Sequence, residues 1–324
     1  MKTRLILAGL LAGATVLVAG CGSGDLPAPS TMDAVNPLPA GATEIAASPQ
    51  PAGESGCDSE ATLRPPAQQP GPGAMPPGSP MAAIAANGRL RVGVDQNTYL
   101  FGFRDPGTGQ LRGFDIDIAR EIAKDILGDP DKIELRSVTA AERISALRDK
   151  KVDLIVRTFS ATCERRKEVD FSAVYYRSAQ RILAPRESGI GSGADLADKR
   201  VCVANGTTAA APLFALPQRP VVLGVTNWTD CLVALQQGHV DAISGDDPIL
   251  FGLAEQDRNL HVVGAALGTD AYAVGVAKGS DELVRFVNGV LERMRTDGTW
   301  QRIYADRLAV LGPPPGQPVA RYVG

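Results

Sequence analysis

Apolar and polar positions along the chain fall into two alternating series, flanked by stretches with no periodic pattern. Arg89 to Val94 alternates with the period of two that a strand requires. Phe114, Ile118, Ile122 and Ile126 recur every four residues. Asp115 and Asp117 occupy the first turn, where carboxylates complement the helix dipole, and Gly128 follows, where a left-handed cap is favoured. The pattern then predicts a strand at 132–138, a helix at 139–149 and a strand over Val152–Val156. A second series begins near Lys199: strand 200–204, a helix from 207, strand 221–224, helix 227–237, strand 240–244 and helix 246–256. A strand at 271–277 leads into a helix that places Leu283, Phe286, Val287, Val290, Leu291 and Met294 on one face. Strands alternating with helices of this length predict α/β layers with largely parallel sheets. Two such series joined by short extended segments predict two lobes.

The ends read differently. Lys2 and Arg4 precede an apolar run from Leu5 to Ala19, the pattern of a secretory leader and short for a membrane span. The run closes on Leu17-Val18-Ala19-Gly20-Cys21, which resembles a bacterial lipobox. That resemblance implies a signal peptide over 1–20, a lipid on Cys21, and a chain anchored to the outer face of the cell membrane rather than spanning it. Residues 22–80 hold 13 of the chain's 24 prolines and few large apolar side chains, too few to build a core. Residues 21–81 are therefore expected to form a disordered, partly polyproline tether. A tail from Gly312, opening with three prolines, is expected to be unstructured over 312–324.

Composition narrows the chemistry. The 324 residues include 33 basic and 36 acidic side chains, so no basic face for nucleic acid is in prospect. The two histidines, His239 and His261, lie in no HExxH or Cys/His spacing, which argues against a zinc hydrolase or a histidine triad. No metal or cofactor is called for. Apart from Cys21 there are four cysteines, an even number that suggests two disulfides in an oxidising compartment, with three possible pairings. Cys202 falls in a predicted strand and Cys231 in a later helix of the same series, which favours that pair and leaves Cys57 with Cys163.

Particular strings then become informative. Gly113-Phe114-Asp115-Ile116-Asp117 follows the first strand, and Ser160-Ala161-Thr162-Cys163-Glu164-Arg165-Arg166-Lys167 leads into Val169-Asp170-Phe171-Ser172. Val203-Ala204-Asn205-Gly206-Thr207-Thr208, Val240-Asp241-Ala242-Ile243, Asn288-Gly289 and Asp297-Gly298-Thr299-Trp300 come later. In this order they resemble the polar amino acid-binding proteins of bacterial ABC importers, the glutamine/glutamate class of family 3 solute-binding proteins, over about residues 89–311. The resemblance implies a bilobed periplasmic-binding-protein-like fold. Residues 82–186 with 269–311 would form lobe 1 and the hinge segments (182–186 and 269–272), and 187–268 would form lobe 2. It also implies a monomer that closes on its ligand.

The same resemblance assigns the binding residues. An α-amino acid presents a carboxylate and an ammonium, and needs a planar cation for one and an anion for the other. Arg165 falls on the carboxylate-binding arginine and Asp246 on the aspartate that receives the ammonium, with Asp247 as the expected helix cap. Ser160 and Thr158 supply a hydroxyl and a backbone contact. Thr207 and Thr208 would offer backbone N–H groups at a helix start. Asp95 matches a ligand-facing aspartate of the glutamine-binding members. The aromatic residues that sandwich the ligand in some members are replaced by Thr98 and Ala140, with Tyr99 or Phe101 as substitutes. Arg157 stands where many members have a small residue. A cation there would favour a second carboxylate, which ranks aspartate and glutamate ahead of glutamine and asparagine.

The expected partner is an ABC permease; a membrane signalling partner reading the same bound amino acid is the alternative. The fold also hosts a dehydratase of cyclic acids, but neither histidine lies in a ligand motif and no acid or base is left over for chemistry. No enzyme is expected.

Overall fold

A computed structural model of the protein describes residues 38–47 and 56–323. The leader, Cys21 and the lipid expected on it lie outside the described residues. The frame is a nine-stranded sheet in the order Thr43–Glu44, Val221–Val225, Arg200–Ala204, Ala242–Asp246, Val169–Pro185, Leu260–Ala277, Leu154–Ile155, Leu90–Val94, Ile133–Ser137. On one side of its middle, Leu90–Val94 pairs in parallel with Ile133–Ser137 and Leu154–Ile155. On the other, Arg200–Ala204 pairs in parallel with Val221–Val225 and Ala242–Asp246. The α/β expectation therefore holds, with parallel strands in each lobe.

The middle of the sheet is antiparallel. The 17-residue strand Val169–Pro185 and the 18-residue strand Leu260–Ala277 pair along their length and run from one lobe into the other. Each end is buried in a different core. Tyr175, Tyr272, Phe114, Phe286 and Trp300 belong to the larger core of lobe 1, whereas Ile182, Leu183 and Ala184 are packed in lobe 2 with Val201, Ile243 and Leu250. The first crossover was expected at 182–186, but those residues begin in the second core. The chain passes between lobes nearer Arg177–Gln180, paired with Gly268–Ala271 on the returning strand. The alternation of buried side chains places the passage earlier than the motif spacing does.

The tether and tail need a larger correction. Ala61–Leu63 pairs in parallel with Arg321–Val323, so the two supposedly structureless ends form one small sheet. The buried Thr62 hydroxyl donates to the Phe171 carbonyl at 3.0 Å and accepts from Asn288 Nδ2 at 3.0 Å. Gln69 donates to the Phe286 carbonyl and Gln317 to that of Leu291. Thr43–Glu44 extends the large sheet beside Val221–Val225. Composition correctly denies these segments a core of their own; they are ordered because a finished body offers them strand edges and carbonyls to bind. Both expected disulfides are present, Cys57–Cys163 and Cys202–Cys231.

Candidate functional site

The cleft is built from strand ends and the turns that follow them. Leaving the strand Leu90–Val94, Asp95 is buried, and its carboxylate accepts from the Gln96 and Asn97 N–H groups and from the Thr98 hydroxyl. The same carboxylate forms an ion pair with Arg157 at 2.9 Å, and Arg157 Nε donates to the Val138 carbonyl at 2.8 Å. Both members are nearly inaccessible, with side chains 2% and 4% exposed. Arg157 is thus neutralised from within, and the reason for expecting it to attract a ligand carboxylate falls away.

Beyond Arg157 the chain makes a sharp turn. Thr158 adopts a φ of 38°, a conformation that L-residues with a Cβ rarely take. Asp115 holds it there: its carboxylate accepts the Thr158 N–H at 2.8 Å and the Tyr175 hydroxyl at 2.7 Å. Asp115 is fully buried, and that burial pushes its carboxyl up to about 6. The carboxylate expected only to complement a helix dipole therefore also shapes the stretch Thr158–Ser160.

Arg165 lies on the four-residue helix Cys163–Arg166, whose N-cap Thr162 accepts the Arg165 N–H. Its guanidinium donates to the Ser160 carbonyl at 2.7 Å and, across the seam, to the Gly206 carbonyl of lobe 2 at 2.9 Å. Burial lowers its pKa to about 10, still fully protonated at neutral pH, while Asp270 and Asp246 act to hold the charge. Arg143, which the motifs do not mark, joins it. Arg143 is buried and donates to Gly206 O as well, at 2.8 Å. Both guanidiniums lie over the Phe159 ring, at 4.3 and 5.1 Å from its centroid. Phe159 is the aromatic floor here. The proposed substitutes are not: Phe101 is packed against Phe114, Tyr176 and Tyr272 in the core, and Tyr99 is 40% exposed.

Opposite these cations stand acids. Asp246 ends the strand Ala242–Asp246, where it accepts the Tyr272 hydroxyl at 2.5 Å through Oδ2. Its Oδ1 is buried and has no donor among the described residues. Burial, and then the charge of Asp270, push its carboxyl well above the usual range. Asp270 accepts from Gln180 at 2.6 Å and from the Thr208 hydroxyl at 3.0 Å. Asp247 does not cap the next helix with its side chain; it accepts the Ala179 N–H. The helix expected from 207 begins only at Ala210 and runs for five residues. Thr207 therefore sits in the preceding turn, donating its hydroxyl to Ala204 O. A cleft of about 390 Å³ opens here, lined by Gln180, Thr208, Asp270, Ala161 and, from the N-terminal segment, Ser59 and Glu60.

Over residues 90–307 the chain matches the bacterial extracellular solute-binding proteins, family 3. It belongs to that family. The ABC transporter glutamine-binding protein GlnH of Bacillus subtilis is 37% identical over 225 residues, 69% of this chain and 82% of that protein. A glutamine-binding protein of Geobacillus stearothermophilus is 41% identical over 60% of this chain and 75% of its own. Among solved structures, a solute receptor for L-cysteine of Neisseria gonorrhoeae aligns with a TM-score of 0.68 at 35% identity, covering 71% of this chain and 94% of that one. This family member is therefore a solute-binding protein with the bilobed fold, and not an enzyme.

Of the expected residues, Thr208 lines this cleft, Arg165 reaches Gly206 across the seam within electrostatic range of Asp246 and Asp270, and Asp95 and Arg157 are set against each other. Sequence reasoning missed Gln180 and Asp270, which line the cleft, and the buried Arg143 and Phe159 beside Arg165. A buried arginine on an apparently amphipathic helix leaves no mark in a hydropathy pattern, and the returning strand reads as core.

Proposed function

We propose that this solute-binding protein holds one polar L-amino acid between its lobes and delivers it to an ABC importer permease, while lipidated Cys21 keeps it at the outer face of the cell membrane. The observation that supports the reading is the opposition of charges across the seam between the lobes: the Arg165 guanidinium on lobe 1, and Asp246 with a buried, unpartnered Oδ1 on lobe 2. An α-carboxylate on Arg165 would exchange a carbonyl acceptor for a charged, forked one. An α-ammonium on Asp246 would supply the missing donor. In this reading the Ser160 hydroxyl and the Thr158 turn would border the ligand, with Thr208 from lobe 2 and Asp270 from the crossing strand beside them. The relatives, two glutamine-binding proteins and a solute receptor for L-cysteine, support an amino acid as the solute.

Calorimetric titration of the mature chain with L-Asp, L-Glu, L-Asn, L-Gln, L-Arg, L-His and L-Cys tests the reading. Saturable binding of one amino acid at a 1:1 ratio is expected. Binding of none of them would end it.

A further inference from the structure

One buried charge is left over by this reading. Arg143 is 2% exposed, yet among the described residues no carboxylate lies within ion-pair distance of it. Its partners are backbone carbonyls: Ala140 O at 2.8 Å, Thr158 O at 3.2 Å, Arg157 O at 3.3 Å and, from lobe 2, Gly206 O at 2.8 Å. Carbonyl dipoles satisfy N–H groups, and Asp95, a carboxylate near enough to act on the charge, is ion-paired with Arg157, so the buried charge is only partly compensated, which is costly. Its nearest charged side chains are otherwise cations. Arg165 and Arg157 are both close, and Arg157 is already matched by Asp95. Besides the Phe159 ring, Arg143 and Arg165 share the Gly206 oxygen, which each reaches through Nη2. Two guanidinium edges therefore converge on one point of the seam between the lobes, one of them with an α-carboxylate already assigned to it.

We propose that Arg143 is the specificity-determining residue of this site, receiving the side-chain carboxylate of an acidic amino acid while Arg165 receives the α-carboxylate. The inference rests on the amino-acid reading above. It transfers to Arg143 the role expected of Arg157, and for a physical reason: Arg157 has a carboxylate of its own and Arg143 has none. An amide side chain would leave the Arg143 charge as it is, whereas a carboxylate would neutralise it, so the protein takes aspartate or glutamate ahead of asparagine or glutamine.

The test is titration of the mature wild type, Arg143→Met and Arg143→Lys with L-Glu, L-Asp, L-Gln and L-Asn, with thermal melts alongside. The wild type should prefer the acids to their amides by about tenfold or more. Arg143→Met should lower the ratio of acid to amide affinity about tenfold or more, whatever it does to absolute affinity. Arg143→Lys should keep part of the preference, since an ammonium retains the charge without the fork. Equal weakening of acids and amides in Arg143→Met would make Arg143 a bridge between the lobes and overturn the assignment. A wild type that prefers amides would do the same. Should Arg143→Met fail to fold, an unchanged acid-to-amide ratio in Arg143→Lys would overturn it, and a ratio lowered about threefold would support it. Wild type that binds no amino acid would end the underlying reading, an outcome separate from binding without preference.

Discussion

Arg165 is held by two carbonyls and a ring face, an arrangement that leaves its charge available to a carboxylate. Arg165→Ala should therefore weaken ligand affinity by about 100-fold or more, read by calorimetry, because a buried carboxylate would lose its only fork. Asp246 makes the complementary prediction. Its carboxyl protonates more readily than an exposed one because burial and Asp270 disfavour the anion, and only the anion attracts an ammonium. Affinity should fall as pH is lowered through that protonation, and Asp246→Asn should weaken binding about tenfold and flatten the pH dependence. Asp115 bears on stability instead. Its folded value of about 6 lies above the ordinary value near 4, so the folded state holds the proton more tightly than the unfolded one. Stability should then decline as pH rises from about 4 to above 6, by about 3 kcal/mol from this group. Urea unfolding across that range should show the decline in the wild type and lose this part of it in Asp115→Asn.

Among the elements, the N-terminal segment is the one whose behaviour composition misjudged. It is tied to lobe 1 by the Cys57–Cys163 disulfide, by the Arg166 contact to the Ser59 carbonyl and by the ion pair between Glu60 and Arg177. The disulfide closes a sequence separation of 106 residues. Replacing both cysteines by serine should cost about 5 kcal/mol by the chain-entropy estimate. Denaturant titration checks this, and a loss below ~1 kcal/mol would mean that strand pairing with Arg321–Val323 and the polar contacts hold the segment by themselves. Cys163 opens the helix that carries Arg165, so the segment braces Arg165 as well as the fold.

At the scale of the whole molecule, the lobes meet through a few close contacts. Gly206 has a φ of 76°, and a Cβ there would come within 2.6 Å of the Ala141 Cα in lobe 1. Asn97 and Asn227 add a side-chain hydrogen bond across the seam at 3.3 Å. Since the two guanidiniums converge on this same loop, Gly206→Val should prop the lobes apart and weaken ligand binding about tenfold or more. In small-angle scattering the wild type should become more compact when saturated with its ligand, and Gly206→Val should not. Compaction in both would show that closure does not depend on the approach at Gly206.

The strands, the main helices, the two lobes and both disulfide pairs were legible in the chain itself. Periodicity reports burial directly, and Cys202 and Cys231 lie in elements of one series. Arg165 and Asp246 were singled out by their motifs, and the opposition of charges between them supports the roles proposed above. Tertiary structure alone decided which charges cancel. Whether Arg157 faces a ligand or Asp95, and whether Arg143 meets a carboxylate, depends on side chains brought together from strands far apart in sequence. It also decided the fate of the ends. A segment too poor in apolar residues to fold alone can still be ordered by the edges and carbonyls of a body that has already folded, and no local pattern records that body's presence.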